Sequence, residues 1–175
     1  PICDCRSGFV LRVADGRSFK CDRLVLASGG VSLTRLGADR SGMDLAVDWG
    51  HQVTELKPGL VPLISPEKYL AKMQGLKIKA EVSAEMQGGR RIVDTDDLLF
   101  TKYGVSGFTI LNLSARLVAE LGSRRVCLKI NLFPGQSPEE ISAILAERWD
   151  RHPHRSLELS FAGLLSGKLV RPLSD

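Results

Sequence analysis

The sequence predicts an α/β chain in two parts, with an architecture that changes near residue 65. The apolar run at residues 24–27 ends in a Ser-Gly-Gly turn, which is typical of a buried strand covered on both faces. Residues 77–86 instead alternate polar and apolar side chains, as a half-buried antiparallel strand does. From Ser106 onward, apolar residues recur at helical spacings of three and four. We therefore expect a strand from a parallel sheet first, and an antiparallel and helical part second.

The first part contains a hairpin, the buried strand, a helix and a further strand. Residues 9–13 and 17–21 form the hairpin around an Asp-Gly turn. Residues 41–50 carry a short apolar face and end in a glycine suited to the position after a helix. Residues 51–55 are a strand candidate, and two prolines then bracket an extended segment.

The second part begins with the strand at 77–86, which turns at a Gly-Gly pair and returns from Arg91. The helix that follows places Ile110, Leu113, Leu117 and Leu121 on one face, and residues 126–132 form the next strand. Ser137, Pro138 and Glu140 form a capping box that opens a helix ending before Pro153. Two short helical segments at 157–165 and 167–173 complete the part.

Composition and charge exclude several classes of protein. Of 175 residues, 43% are hydrophobic and 25% charged, which rules out a disordered or fibrous chain. No apolar run approaches the ~20 residues of a membrane helix, so we expect no membrane partner. The 24 Lys and Arg against 20 Asp and Glu give a net charge of +4 that is dispersed along the sequence. Such dispersion favours an ordinary mixed-charge surface over a nucleic-acid-binding protein.

The four cysteines and the chain ends predict where the protein works. Cys3, Cys5, Cys21 and Cys127 do not match zinc-ligand spacing, so we expect no metal site. Free thiols in a reducing cytoplasm are the favoured interpretation, and a disulfide from Cys3 or Cys5 to Cys21 is the alternative. No signal peptide precedes the first strand. Both ends look cut from something longer, which predicts a fragment, and the free thiols predict a cytoplasmic location.

Two glycine-containing loops in the first part are candidate ligand sites. Ser28, Gly29 and Gly30 follow the predicted buried strand, at the strand end where open α/β sheets bind ligands. A second loop leads into the helix at 41–50, where Asp39 or Ser41 could cap the helix and leave N–H groups for an anion. A tight turn and an ordinary capped loop, both without ligand, are the alternatives.

A third loop joins a strand of the second part to its long helix. Its hydroxyl groups, phenol and glycines could present hydrogen-bond donors to a bound ring or carboxylate, and Ser106 could instead simply cap the helix. The residues concerned are Thr101, Tyr103, Gly104, Ser106 and Gly107. His51 follows a helix end and is best explained as a capping residue. No nucleophile or general base stands out, so the catalytic residues are unknown.

The order of these motifs resembles one family. Residues 26–30, the loop before residue 42, residues 58–63, residues 98–107 and two later landmarks at 130–134 and 164–169 follow the order of bacterial flavoproteins of the BaiN/YhiN type. These are NAD(P)/FAD-dependent oxidoreductases, also called aminoacetone-oxidase-like. Arg40-Ser41-Gly42 stands where the family has Gly-Asp-Gly, and Leu33-Thr34 where it has Tyr-Pro.

The resemblance implies the domains, the cofactor and the site. Residues 1–63 would be part of an FAD-binding Rossmann-like domain, and residues 64–175 an inserted domain of antiparallel β-barrel and helices. Ser28, Gly29, Gly30 and Gly42 would contact FAD. Thr101, Tyr103, Gly104, Ser106 and Gly107 would face the flavin or the substrate. The chain contains no GxGxxG, so the isolated fragment would be inactive.

The expected function is flavin-mediated oxidation or reduction of an unidentified small molecule, with NAD(P)H as a candidate electron donor. The alternative is a non-catalytic module on the same fold that binds a partner protein or nucleic acid. Strand edges exposed in a partial sheet could also pair two copies into a homodimer.

Overall fold

The computed structural model describes residues 2–5, 8–86, 88–121 and 125–174 and divides the chain into two compact units. The first unit comprises residues 1–56 and the second residues 57–175. The sequence pattern placed the change of architecture slightly later, near residue 65, and the family resemblance placed the domain boundary between residues 63 and 64. The division falls just before Pro58, where the extended segment between the two prolines begins.

A three-stranded antiparallel sheet forms much of the first unit. Its strands lie in the order β1 (Ile2–Cys5), β2 (Gly8–Arg12) and β3 (Ser18–Cys21). The turn between β2 and β3 is closed by Asp15, whose carboxylate accepts hydrogen bonds from the backbone and side chain of Arg17 at 3.0 and 2.7 Å. The predicted hairpin is confirmed, and β1 adds a strand that the sequence pattern did not indicate.

The helix of the first unit, α1 (Ser41–Asp48), is also confirmed. Gly50 follows it with a φ of 86°, and the His51 N–H donates back to the Ala46 carbonyl at 3.0 Å. This is the hydrogen-bond pattern of a left-handed glycine that ends a helix. His51 therefore takes part in ending the helix through its backbone.

Two predicted strands of the first unit are absent. Residues 24–27 and 51–55 have no strand assignment, and Val25 in the first of them is 84% exposed. A strand exists only where a neighbouring strand accepts and donates its backbone hydrogen bonds. No described segment pairs with either run, so the prediction of a buried strand at 24–27 is wrong for this structure.

A five-stranded antiparallel sheet is the frame of the second unit. Its order is β4-β7-β6-β5-β8, with β4 at Leu63–Ile64, β5 at Lys77–Glu85, β6 at Arg91–Thr101, β7 at Gly104–Ser106 and β8 at Leu128–Asn131. Ala80, Val82 and Ala84 of β5 are buried, whereas Lys77 and Lys79 are exposed. The period-two alternation of the sequence therefore predicted this strand and its buried face correctly.

Four α-helices and a 3-10 helix accompany this sheet in the described residues. They are the 3-10 helix Lys68–Met73, α2 (Phe108–Leu121), α3 (Pro138–Arg151), α4 (Leu157–Ser160) and α5 (Gly167–Ser174). Ile110, Leu113 and Leu117 of α2 are fully buried and pack in one core with β5 and β6. Leu70 and Leu169 extend the same core to the 3-10 helix and α5. The mixed α/β class is thereby confirmed, with antiparallel sheets in both units.

The predicted capping box at the start of α3 is present. The Ser137 hydroxyl accepts the Glu140 N–H at 3.1 Å, and the Glu140 carboxylate accepts the Ser137 N–H at 2.7 Å. Pro138 occupies the first helical position, where no N–H is needed. Two backbone donors that the helix itself cannot satisfy are thus paired locally.

The described part of the chain also shows the length of the helices and the state of two cysteines. No helix among the described residues is long and apolar enough to cross a membrane. Cys21 and Cys127 are free thiols. The side chains of Cys3 and Cys5 lie outside the described residues.

Candidate functional site

The Ser-Gly-Gly loop of the first unit is open backbone. Ser28, Gly29 and Gly30 are exposed and belong to no helix or strand. Gly29 has a φ of 79°, and a Cβ built on either glycine would meet no atom within 4 Å. The loop therefore presents its main-chain groups without side-chain obstruction, which is the condition for close approach of a ligand.

Gly42, in the first turn of α1, is placed directly against Ser28. A Cβ at Gly42 would lie 1.8 Å from the Ser28 hydroxyl oxygen and 2.7 Å from the Ser28 Cβ. Both distances are far below van der Waals contact, so only glycine fits at position 42 while Ser28 keeps its position. The structure thus brings together two of the four predicted cofactor-binding residues, which are fourteen positions apart in sequence.

The N-cap residue of α1 is Arg40, whose side chain makes no capping hydrogen bond, and Asp39 just before it pairs the first N–H of the helix instead. Its carboxylate accepts the Ser41 hydroxyl at 2.6 Å and the Ser41 N–H at 2.9 Å. These two hydrogen bonds, the side-chain one first, hold the pKa of Asp39 below its ordinary value. The carboxylate takes up one N–H of the helix start, and the donors nearer Gly42 are left for another acceptor.

Ser41→Ala is expected to raise the pKa of Asp39 towards its ordinary value, because the largest stabilising contact of the carboxylate is lost. The depressed pKa means that the Asp39 contribution to stability is present above the pKa of the unfolded chain. It is lost as the pH falls through the lower pKa of the folded chain. An NMR titration of the Asp39 carboxyl carbon in the unchanged protein and in Ser41→Ala measures the change in this pKa. An unchanged titration in Ser41→Ala would contradict the capping contact.

The third predicted loop is a tight hairpin in the second unit. β6 ends at Thr101, β7 begins at Gly104, and only Lys102 and Tyr103 lie between them. Tyr103 is 68% exposed, and the Lys102 ammonium lies 5.5 Å from the centre of its ring. Its backbone carbonyl accepts the Ser65 N–H at 3.0 Å. The hairpin therefore presents an aromatic ring and a cation from a backbone held by the pairing of β6 with β7 and by the hydrogen bond from Ser65.

The glycines of this loop are explained by packing. A Cβ at Gly104, which has a φ of 154°, would lie 2.1 Å from the Leu63 carbonyl oxygen. A Cβ at Gly107, with a φ of 94°, would lie 2.2 Å from the Asp97 carbonyl oxygen. Both glycines permit close backbone approach, which positions the strand that follows Tyr103.

Ser106 does not cap α2. It lies in β7, and the first hydrogen bonds of the helix run from the Ile110 and Leu111 N–H groups to the Gly107 carbonyl. Thr101 and Ser106 are both half-buried. Of the five residues predicted to face flavin or substrate, Tyr103 is the most exposed of those with a side chain.

An open hollow surrounds Tyr103 and contains residues that the sequence did not point to. It is lined by Ile64, Ser65, Pro66, Glu67, Lys68, Ala71, Lys102 and Tyr103. Ile64 is 88% exposed although it is a large apolar residue in a strand. These residues come from two stretches about thirty residues apart, 64–71 and 102–103, so no local spacing in the sequence could have grouped them. We define this feature as the aromatic hollow.

A buried serine fixes the segment that leads into the aromatic hollow. Ser114 of α2 is fully buried, donates to the Leu111 carbonyl at 2.8 Å and accepts the Val61 N–H at 2.9 Å. Within the described part of the chain, no cluster of three or more His, Cys, Asp or Glu residues could hold a metal ion.

The match to a known protein family covers the second of the two compact units. The model of the HI0933-like protein barrel and H2TH domain matches residues 57–175. A 3-dehydro-bile acid delta(4,6)-reductase of Clostridium scindens is 30% identical over 171 residues, covering 96% of this chain and 41% of that protein.

Two further relatives are ribosomal RNA dihydrouridine synthases. A ribosomal RNA dihydrouridine synthase of Escherichia coli is 31% identical over 172 residues, covering 97% of this chain and 40% of that protein. Its namesake in Haemophilus influenzae is 29% identical over 164 residues, with coverages of 93% and 38%. The chain thus spans about two fifths of the length of the curated relatives it matches.

Proposed function

Because the family model covers residues 57–175, the chain belongs to the HI0933-like family, and we propose that it is part of an FAD-dependent oxidoreductase. The BaiN/YhiN-type resemblance of its motifs is confirmed by the names of its relatives. On this proposal, residues 1–63 belong to the FAD-binding domain and residues 64–175 form the inserted domain. When bound, FAD supplies the electron transfer, and the chain supplies positioning and hydrogen bonds.

The contact between Gly42 and Ser28 carries the proposal. A cofactor with a long phosphate-containing chain needs exposed backbone donors and no side chain in its path. Gly29 and Gly30 offer open backbone, and Gly42 holds a helix start tightly against the same loop. These residues fit such a cofactor through main-chain N–H groups, with Ser28 as the hydroxyl beside them.

The second unit would bind the substrate. Tyr103 and Ile64 offer apolar contact to a ring, and Lys102 and Lys68 offer positive charge at its rim. The names of the relatives describe a reductase acting on a 3-dehydro-bile acid and a synthase of dihydrouridine in ribosomal RNA. We propose that this chain serves a reduction of the same kind, on a ring held at the aromatic hollow, with NAD(P)H as the electron donor.

The visible absorption spectrum of the full-length protein tests the flavin. We expect a flavin spectrum that is released on denaturation, and we expect the 175-residue chain alone to be colourless and inactive because it contains no GxGxxG. A full-length protein that is colourless and takes up no added FAD would overturn the proposal, and the non-catalytic binding module would then be favoured.

Gly42→Ala in the full-length protein tests whether the close contact between Gly42 and the Ser28 loop is needed for FAD binding. Its Cβ must displace Ser28, so we expect FAD affinity to fall at least about tenfold, as misplacement of a positioning group does. Gly59→Ala is the matched control, because its φ is ordinary and its Cβ would meet nothing within 4 Å. Equal FAD affinity in the two variants would contradict the role of Gly42.

A further inference from the structure

The segment at residues 60–65 of the second unit carries an apolar stripe on its exposed side. Leu60, Pro62 and Ile64 are exposed, whereas the alternate residues 61, 63 and 65 are half-buried. The outward positions of a segment that packs on a core with one face are ordinarily polar, because they meet water. We define Leu60, Pro62 and Ile64 as the apolar stripe.

Leu60 is held in a backbone conformation that is unfavourable for leucine. Its φ is 53°, and among the described residues it is the only one other than glycine with a positive φ. The next residue, Val61, donates its N–H to the buried Ser114 hydroxyl at 2.9 Å, and Leu63 pairs with Val105 of β7. Strained positions that their surroundings hold in place cluster at ligand sites. The strain at Leu60 therefore points to a ligand contact.

The edge of the sheet at β4 is unsuited to a further strand. β4 is the first strand in the order of the sheet, and it lies between Pro62 and Pro66. Neither proline has an N–H, so an added strand would lack hydrogen-bond donors at both ends of β4. The stripe is also only one side chain wide, whereas an amphipathic helix or a membrane surface needs a broader apolar face. These features favour a small apolar ligand as the occupant.

The stripe continues into the aromatic hollow, because Ile64 belongs to both. A ligand on the stripe would therefore lie next to a ring held at the hollow. The flavin ring of an oxidoreductase must lie beside its substrate for electrons to pass between them. The apolar dimethylbenzene end of the isoalloxazine ring also suits a stripe of this composition.

We propose that the apolar stripe contacts the isoalloxazine ring of FAD, with Leu60 as its principal residue. The buried Ser114 holds the backbone of this contact in place through Val61. The proposal rests on the proposed function and deepens it. It assigns the redox-active ring to residues of the second unit, whereas Ser28 and Gly42 would serve the phosphate-containing chain.

Titration of the full-length protein with FAD, followed by flavin fluorescence, tests the stripe. Leu60→Asn retains the backbone conformation, since asparagine tolerates the left-handed region, and it replaces the apolar side chain by a polar one. We expect FAD affinity to fall about tenfold, because the burial of a leucine side chain on binding is lost. Leu159→Asn is the matched control, because Leu159 is also an exposed leucine but lies on α4, outside the stripe. We expect the control to bind FAD as tightly as the unchanged protein.

Leu60→Gly separates a ligand contact from a structural role. Glycine adopts a φ of 53° without strain, so we expect the FAD-free variant to unfold at a urea concentration at least as high as that of the unchanged protein. We expect its FAD affinity to fall about tenfold nonetheless. A variant that loses stability and FAD affinity together would overturn the proposal. So would a dimer of the full-length protein that Leu60→Asn dissociates, since a second copy would then cover the stripe.

The outcomes also distinguish this proposal from the proposed function. A full-length protein that binds FAD with equal affinity in Leu60→Asn and Leu159→Asn would retain the flavin function and overturn the stripe alone. A full-length protein that takes up no FAD would overturn both.

Discussion

Gly107→Ala is expected to lower the free energy of unfolding of the second unit by about 3 kcal/mol, from backbone strain and overpacking together. Its φ of 94° is unfavourable for any residue with a Cβ, and the new Cβ would lie 2.2 Å from the Asp97 carbonyl oxygen. Asp97 cannot move aside easily, because it is paired with Lys79 in the middle of the sheet. The clash is therefore with fixed backbone and cannot be relieved by a rotamer change.

Gly135→Ala is the control that separates the backbone strain at Gly107 from the steric clash there. Gly135 has a similar φ of 87°, but a Cβ there would meet nothing within 4 Å. We expect it to cost about 1 kcal/mol, the penalty for the left-handed conformation alone. Urea unfolding followed by circular dichroism compares the two variants. Equal losses would show that the close approach at Gly107 is not a packing constraint.

Leu113→Ala is expected to cost about 2–5 kcal/mol, because it leaves a cavity in the centre of the core. Leu113 is 0% exposed and packs between α2 and the strands β5 and β6. The total stability of a domain is only about 5–15 kcal/mol, so this single change removes a large share of it. Urea unfolding of the whole chain measures the loss.

Leu159→Ala is the matched control for this change, since the same atoms are removed from a side chain that is 57% exposed. We expect it to cost less than about 1 kcal/mol. A control variant as unstable as Leu113→Ala would contradict the position of the core between α2 and the sheet.

Local patterns predicted much of the second unit because the pattern and the cause lie in the same residues. The alternation at residues 77–86 predicted β5, the spacing of Ile110, Leu113 and Leu117 predicted the buried face of α2, and Ser137 predicted the start of α3. Each rests on hydrogen bonds or side-chain directions set within a few residues. These features follow from the sequence without knowledge of their neighbours.

Strand predictions failed where the partner was the deciding factor. Residues 24–27 are as apolar as a buried strand, yet no described segment offers them a hydrogen-bonding edge, and three of the four, Val25, Leu26 and Ala27, remain exposed. An apolar run records a preference for burial, whereas a strand is a property of two segments. The same reason accounts for residues 51–55.

The sequence by itself determined the family, the antiparallel hairpin, the main helices with their caps, and the glycine loops that are candidate ligand contacts. Only the tertiary structure decided which of these residues meet: Ser28 with Gly42, Gly107 with Asp97, and Tyr103 with Ile64 and Lys68. The aromatic hollow shows the difference most clearly, because residues 64–71 and residues 102–103 are far apart along the chain and line one feature only after folding. The physical reason is that helix caps and periodic faces are short-range, whereas packing and electrostatic potential depend on distances in space.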